Sequence, residues 1–208
     1  KWPFLLIADT LQKADLVLGN LESVISDKGQ NLGSIYSFRA NPKVLEGLTF
    51  AGFDILSVAN NHSFDYGVEA FVDSVERIRQ AGIAPLGGGT TRDRAHTLVM
   101  KEVNGTKIGF LGYTNLGSYL WQAAQITPGL AWVDENNISE FQENIQRAKN
   151  DVDVLFISIH FGEEYQKEPN LMQQLLAKAA IDAGADIVIG HHPHVVQPIE
   201  QYKQGWIA

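Results

Sequence analysis

The chain has 208 residues, 45% of them hydrophobic and 19% charged, which is enough for one folded domain with a complete core. Its 16 lysines and arginines stand against 24 acidic residues, and the formal net charge of -8 argues against nucleic-acid binding, which needs a basic face. The absence of cysteine excludes disulfides, zinc–thiolate sites and thiol nucleophiles.

In chain order, segments with helical periodicity alternate with short apolar runs, which predicts a layered α/β fold that also contains α+β elements. Helices are predicted at residues 3–14, 42–52, 68–81, 138–149 and 170–183. Buried strands are predicted at residues 15–19, 54–59, 83–86, 152–160 and 185–190. No run of about 18 apolar residues occurs, so no transmembrane segment is predicted in this chain.

Two antiparallel pairs are predicted in addition. Residues 97–112 alternate around Asn104-Gly105, a dipeptide favoured in tight hairpin turns, and residues 195–202 are predicted to pair with residues 206–208. Residues 114–135 are aromatic and irregular, which predicts a surface excursion near a site rather than part of the core. No repeat or linker divides the sequence, so we expect residues 1–208 to form a single domain.

Polar side chains follow four of the predicted strands at the point where each strand ends. In an open α/β sheet, ligands collect outside the carboxyl ends of the strands, so these side chains are expected to share one crevice. The four segments are Asn20-Leu21-Glu22, Asn60-Asn61-His62, His160 with Glu163 and Glu164 after it, and His191-His192-Pro193-His194.

The most specific of these segments contains three histidines within four residues. Residues two apart in an extended chain point the same way, so His192 and His194 are predicted to bind one metal centre. Pro193 supports this prediction because the residue before a proline favours an extended conformation. His191 then faces elsewhere, and we assign it to substrate binding. The alternative is a histidine-rich surface loop, or a histidine that caps the strand by hydrogen bonds.

The other strand ends supply further candidate ligands. His160 offers a ring nitrogen, although a single histidine in such a place is more often a satisfied, partly buried side chain. Glu22 and Asn20 offer an anionic and a neutral oxygen, or they form a turn after the strand. Glu164 is assigned to ordering substrate, with a solvated loop carboxylate as the alternative. Such a set suits zinc, manganese or iron better than calcium, and two neighbouring divalent ions could activate water.

The segment around His62 predicts a proton donor. Amide and imidazole groups directly after a buried strand need polar partners, so this segment is expected to face a polar cavity. A histidine that does not touch the metal can protonate a leaving oxygen, and an adjacent asparagine oxygen can bind metal. Asp65 either fixes the tautomer of His62 or caps the following helix, and the sequence leaves both possibilities open. His62 and Asp65 are the candidate catalytic residues.

These segments resemble the CapA-type proteins of bacterial capsule and poly-γ-glutamate synthesis, whose fold is similar to calcineurin-like metallophosphoesterases. The resemblance spans almost the whole chain. The matching runs are Asn20-Leu21-Glu22, Phe38-Arg39-Ala40-Asn41-Pro42, Ser57-Val58-Ala59-Asn60-Asn61-His62-Ser63-Phe64-Asp65-Tyr66-Gly67, His160-Phe161-Gly162-Glu163-Glu164-Tyr165, and Gly184-Ala185-Asp186 leading to Gly190-His191-His192-Pro193-His194.

The resemblance implies a metallophosphoesterase sandwich, in which helices flank β-sheets. It implies that Glu22 or Asn20 occupies the region of the family's bridging aspartate. The other motif positions correspond to a general acid, His62, and to metal ligands, namely Asn61, His160, His192 and His194. The family begins with a strand ending in Gly-Asp and continues with a Ser-Leu-Gly-Asn-Phe-like run after the last hairpin. Neither occurs here, so we expect the chain to be trimmed at both ends.

The implied function is a role in capsule or poly-γ-glutamate assembly, export or anchoring, with metal-dependent hydrolase chemistry. The ions would activate water for attack on a phosphoester or an amide carbonyl while His62 donates a proton. The expected partners are poly-γ-glutamate or another anionic polymer and the membrane components of a synthase. The expected location is outside the cytoplasm, attached to the membrane through a region outside this chain. The alternatives are a non-catalytic polyglutamate-binding component and an intracellular phosphodiesterase or nucleotidase.

Overall fold

The computed structural model describes residues 2–208, in which short strands alternate with helices. The helices are α1 (Ala8–Leu11), α2 (Val44–Ala51), α3 (Gly67–Gln80), α4 (Arg92–Ala95), α5 (Ile138–Lys149) and α6 (Leu171–Asp182). The strands are β1 (Leu18–Asn20), β2 (Val24–Ile25), β3 (Arg39–Ala40), β4 (Ile55–Ser57), β5 (Ala84–Leu86), β6 (Gly88–Gly89), β7 (Val99–Val103), β8 (Thr106–Thr114), β9 (Gly129–Leu130), β10 (Val154–His160), β11 (Ile187–His191), β12 (Glu200–Tyr202) and β13 (Gly205–Ile207).

Two sheets form the centre of the fold. The first is parallel, with the order β1-β4-β5. The second has six strands in the order β12-β13-β11-β10-β8-β7. Its inner strands are parallel, and β7 and β12 add antiparallel edges. His160 and His191 are register partners at the carboxyl ends of β10 and β11, which places these two ends side by side.

The buried apolar side chains divide this architecture into four layers. Ile55, Leu86 and Phe110 pack together between the two sheets. The outer face of the larger sheet packs on α5 and α6, and the outer face of the smaller sheet packs mainly on α2 and α3. The result is an α/β/β/α sandwich, and the predicted fold class is confirmed.

The first helix is much shorter than the sequence predicted. A 3-10 turn at Trp2–Phe4 precedes the four residues of α1, so the prediction of one helix over residues 3–14 is wrong. Leu5 and Leu6 are 56% and 102% exposed, so no core contact stabilises a longer helix in this segment. Among residues 2–208, no helix is long and apolar enough to cross a membrane.

The second half of residues 114–135 belongs to the core, so the prediction of a surface excursion is wrong for that half. β9 pairs with β6, and residues 130–133 are all buried. The Ala131 amide donates to the Gly87 carbonyl at 2.8 Å. Gly87 has φ +78°, and a Cβ there would lie 2.8 Å from the carbonyl oxygen of Gly112, so only glycine fits where the two sheets approach each other.

The predicted hairpin between β7 and β8 is confirmed. The two strands pair antiparallel, with Val103 opposite Thr106. Asn104 and Gly105 have φ values of 51° and 83°, as a two-residue turn with two left-handed positions requires.

Candidate metal centre

The polar segments that follow β1, β4, β10 and β11 converge at one edge of the sandwich. Their meeting point is the carboxylate of Glu22. Its Oε1 lies 3.7 Å from His160 Nε2 and 4.0 Å from both His62 Nε2 and His194 Nε2. Histidines from three distant segments of the sequence therefore face the same oxygen atom.

Two asparagines hold this carboxylate in place. Asn20 Nδ2 donates to Glu22 Oε2 at 2.9 Å. Asn60 is fully buried, and its Nδ2 donates to Asn20 Oδ1 at 3.2 Å and to the Leu21 carbonyl at 2.8 Å. The contacts of Asn20 make it a positioning residue for Glu22. The sequence analysis assigned no role to Asn60. Its position directly after a buried strand and before Asn61 and His62 could have indicated one.

His160 lies deepest in the centre. Its side chain is 0% exposed, its Nε2 lies 2.8 Å from Asn61 Oδ1, and its ring centroid lies 5.0 Å from that of His192. Burial, followed by the neighbouring histidines, lowers the pKa of His160 to about 2, so the ring is neutral. The Nδ1 atoms of His160 and His192 are buried and have no hydrogen-bond partner. Neutral rings with free nitrogens and an amide oxygen beside them fit a divalent metal ion.

The carboxylates and imidazoles form two overlapping groups of possible ligands. The inner group is Glu22, His160 and His192, and the outer group is Glu164, His192 and His194. Within each group the ligand atoms all lie within 4.8 Å of one another. Burial raises the pKa of Glu22, and this effect exceeds the opposing influence of His194 and His62. The charge of this carboxylate is therefore poorly compensated by the protein itself.

His62 is oriented by Asp65. The Asp65 side chain is 1% exposed, and its Oδ2 lies 2.8 Å from His62 Nδ1. The same oxygen accepts the Phe38 amide at 2.7 Å, and the Phe38 ring packs edge-on against His62 at 4.5 Å. Helix α3 has Tyr66 at its N-cap and no side-chain cap hydrogen bond, so the sequence alternative of Asp65 as a helix cap is not realised. Phe38 was assigned no role, although it lies in one of the runs that carry the family resemblance, because a ring contact between distant segments cannot be seen in the local pattern.

The two histidines after β11 converge by a different route from the one predicted. His192 and His194 have φ values of 96° and 57°, so the expectation of an extended residue before Pro193 is wrong. Their ring centroids are nevertheless 5.8 Å apart. Left-handed conformations are costly for residues with a Cβ and concentrate at functional sites, where the surrounding structure maintains them.

His191 lies away from this centre. Its Nε2 lies 3.1 Å from Ser158 Oγ, and burial lowers the pKa of His191 to about 4. The ring lines a separate cavity of about 520 Å³ between the two sheets, together with Leu18, Phe110 and Ile189. His191 therefore neighbours His160 along the sheet but does not line the cavity that opens onto the centre, and no contact supports its predicted substrate role.

A cavity of about 710 Å³ opens onto the centre. It is lined by Glu22, Tyr36, Phe38, His62, Glu164, Tyr165 and His194. Neither lysine nor arginine is among these lining residues. An anionic ligand in this cavity would therefore depend on metal ions for charge compensation.

The fold is that of calcineurin-like 5'-nucleotidases. A putative 5'-nucleotidase from Staphylococcus aureus, crystallised with alpha-ketoglutarate, superimposes with a TM-score of 0.60 at 17% identity. The match covers 97% of this chain and 41% of that chain. At this level of identity the likeness concerns the fold alone.

The sequence comparisons are more specific. The capsule biosynthesis protein CapA of Bacillus anthracis is 32% identical over 206 residues, which are 97% of this chain and 50% of that protein. The PGA biosynthesis protein CapA of Bacillus subtilis (strain 168) is 32% identical over 203 residues, 96% of this chain and 53% of that protein. The chain thus spans about half the length of the curated relatives it matches. Residues 1–208 match the family model for the bacterial capsule synthesis protein PGA_cap, and the chain belongs to that family.

Proposed function

We propose that this chain is a metal-dependent hydrolase of the phosphoesterase type, which acts in the synthesis of a capsule polymer such as poly-γ-glutamate. The observation that carries the proposal is the convergence of three imidazoles on Glu22 Oε1, at distances of 3.7 to 4.0 Å. A self-contained structural cluster would pair a buried carboxylate with a fixed cation. Here the neighbours are ring nitrogens, and the ring of His160 is held neutral.

The residues present fit two divalent ions, which we take to be manganese, zinc or iron. Asn61, His160 and His192 would hold one ion, His194 would hold the other, and Glu22 lies between the two sets of ligands. When bound, the ions supply Lewis-acid polarisation of the substrate and lower the pKa of water. Asn20 and Asn60 maintain the position of the Glu22 carboxylate through their hydrogen bonds.

His62 is the proposed general acid. In this role Nδ1–H of His62 donates a hydrogen bond to Asp65, which leaves Nε2 as the nitrogen that exchanges a proton with substrate. His62 Nε2 points toward Glu22 at 4.0 Å and lines the open cavity, so it can reach a leaving oxygen bound there. This arrangement assigns proton delivery to His62 and orientation to Asp65.

The substrate is proposed to be anionic, a phosphoester or a carboxylate-rich polymer. Neither lysine nor arginine lines the cavity, so recognition of charge would pass mainly through the ions. The names of the Bacillus relatives refer to capsule and PGA biosynthesis. By extension, we propose that this chain works at the cell envelope beside the components of a polymer synthase.

The proposal is tested with the chain stripped of metal by a chelator and reloaded with Mn²⁺ or Zn²⁺. Hydrolysis of bis(p-nitrophenyl) phosphate and of poly-γ-glutamate is measured for the wild type, for His62→Gln and for His191→Gln. We expect metal-dependent hydrolysis that His62→Gln lowers about 10²- to 10⁴-fold and that His191→Gln preserves, because the His191 ring lines the other cavity. Metal-dependent binding of poly-γ-glutamate without hydrolysis of either substrate would instead favour a non-catalytic polymer-binding role and reject the hydrolase.

A further inference from the structure

The loop after β10 brings a second carboxylate to the metal centre. A carboxylate oxygen of Glu164 and one ring nitrogen each of His192 and His194 lie within 4.8 Å of one another. The preceding residue, Glu163, is also exposed, but it belongs to neither group of possible ligands found among residues 2–208. Two adjacent glutamates of equal charge therefore differ in whether they face the centre.

A hydrogen bond fastens this loop to the histidine loop. The Tyr165 amide donates to the carbonyl of Pro193 at 2.7 Å, directly between the two candidate histidines. Tyr165 itself has φ 62°, a left-handed conformation that a residue with a Cβ seldom adopts unless its surroundings hold it there. Glu164 is thus the neighbour of a fixed backbone position, which distinguishes it from a freely moving surface carboxylate.

Counting ligands shows why a second carboxylate is needed. His192 belongs to both groups, yet a neutral imidazole has only one nitrogen with a free lone pair and therefore serves one ion. If His192 and His160 both bind the inner ion, the outer ion would be left with His194 and with Glu22, which the two ions would share. Metal sites with catalytic function commonly use three protein ligands.

We propose that Glu164 is a metal ligand and completes the outer position with His194 and Glu22, an inference that rests on the proposed metal centre. Glu164 and His194 both line the open cavity, whereas His160 is fully buried. An ion held by Glu164 and His194 would therefore be the one open to substrate and solvent. An ion held at the fully buried His160 would be the more strongly retained of the two.

The test counts metal ions and does not depend on catalysis. Wild type, Glu164→Gln and Glu163→Gln are stripped, reloaded with Mn²⁺ or Zn²⁺, and analysed for ions per chain by mass spectrometry and for affinity by calorimetry. We expect two ions in the wild type and in Glu163→Gln. In Glu164→Gln, we expect one tightly bound ion, and affinity for the second should fall more than about 100-fold. That loss exceeds the roughly 10- to 100-fold typical of residues that only hydrogen-bond to a ligand.

The outcomes separate this inference from the proposed function. If Glu164→Gln binds the same number of ions as the wild type with unchanged affinity, Glu164 is not a ligand and the metal centre itself stands. If Glu163→Gln weakens binding as much as Glu164→Gln does, the effect is one of net charge and the inference is overturned. If the wild type binds no divalent ion, the proposed function fails and this inference fails with it.

Discussion

Two half-buried carboxylates in this protein, Asp73 and Glu22, differ in how their charge is compensated. Asp73 of α3 accepts hydrogen bonds from Ser26 Oγ and Arg77 Nε, each at 2.6 Å, and lies 3.0 Å from Lys28 Nζ. Burial opposes its ionisation, but these bonds outweigh burial and lower the pKa of Asp73 to about 2. At Glu22 the effect of burial outweighs that of the neighbouring side chains, so the pKa of this carboxyl is raised.

The contrast shows how a structural cluster differs from a candidate site on the same fold. Asp73 is neutralised by cations that the chain itself supplies. Glu22 is surrounded by imidazoles, and the most buried of them, His160, is held in its neutral form by its surroundings. We infer that the cluster around Glu22 reaches its lowest free energy only when a cation from solution joins it.

The largest effect is expected from His62, which separates proton delivery from metal binding. His62→Gln should lower hydrolysis about 10²- to 10⁴-fold, or about 3–5 kcal/mol in activation free energy, because a positioned general acid is lost. Its metal content should equal that of the wild type, since His62 is not among the proposed ligands. Steady-state kinetics combined with metal analysis checks both statements. A variant that lost metal together with activity would show that His62 belongs to the metal centre instead.

Metal binding should stabilise the fold through Glu22 and not through Asp73. At free metal concentrations about 100- to 1,000-fold above Kd, the stabilisation is about 3–4 kcal/mol, which corresponds to roughly 10 °C in a chain of this size. Glu22→Gln should remove most of this shift, and Asp73→Asn should preserve it. Thermal unfolding with Mn²⁺ and with chelator measures the difference for each variant. Equal shifts in wild type and Glu22→Gln would contradict the assignment of Glu22.

Asp73→Asn should cost about 1 kcal/mol of unfolding free energy at pH 7, because solvent screens part of the interactions that lower the pKa of Asp73. A carboxyl whose folded pKa lies below its unfolded value contributes stability above the unfolded pKa. That contribution is lost as the pH falls from about 4 toward 2. The variant and the wild type should therefore converge in acid. Urea unfolding at pH 7 and pH 3 tests this, and a gap that stayed constant between the two pH values would refute the electrostatic explanation.

The sequence predicted those parts of the fold and site that depend on local pattern. The periodicity of residues 138–149 matches α5, and Asn104-Gly105 gives the turn between β7 and β8. The polar residues at four strand ends predicted the shared crevice, because parallel strands end at the same edge of a sheet. These features need only the identities of neighbouring residues along the chain.

Non-local contacts explain what the sequence did not predict. Phe38 reaches His62 from a distant loop, and Tyr165 ties its loop to Pro193 through a backbone bond that any residue other than proline could make. The direction of His191 was predicted to differ from that of its neighbours, but its partner Ser158 lies on another strand. In each case the deciding contact joins segments whose distance in space is set by tertiary packing.

The smallest expected effect is a change in stability that should have opposite signs at Glu22 and at Asp73. Because the pKa of Glu22 is raised, its ionised form is less stable in the folded chain than in the unfolded chain, and the metal-free protein loses stability as the pH rises above about 4.5. Glu22→Gln should therefore stabilise the metal-free chain at pH 7, by about 0.5–2 kcal/mol, the range common for single stabilising substitutions. The glutamine oxygen can still accept the Asn20 amide, so the supporting hydrogen bond is retained.

Urea unfolding in the presence of chelator measures this gain, with Asp73→Asn as the matched control of opposite sign. At pH 4 the two chains should be nearly equal in stability, since Glu22 is then largely protonated in both the folded and the unfolded state. If Glu22→Gln destabilised the metal-free chain at pH 7, the carboxylate would already be satisfied by the protein. Glu22 would then resemble Asp73 in being compensated by the protein itself. The two clusters would differ only in which residues surround the carboxylate.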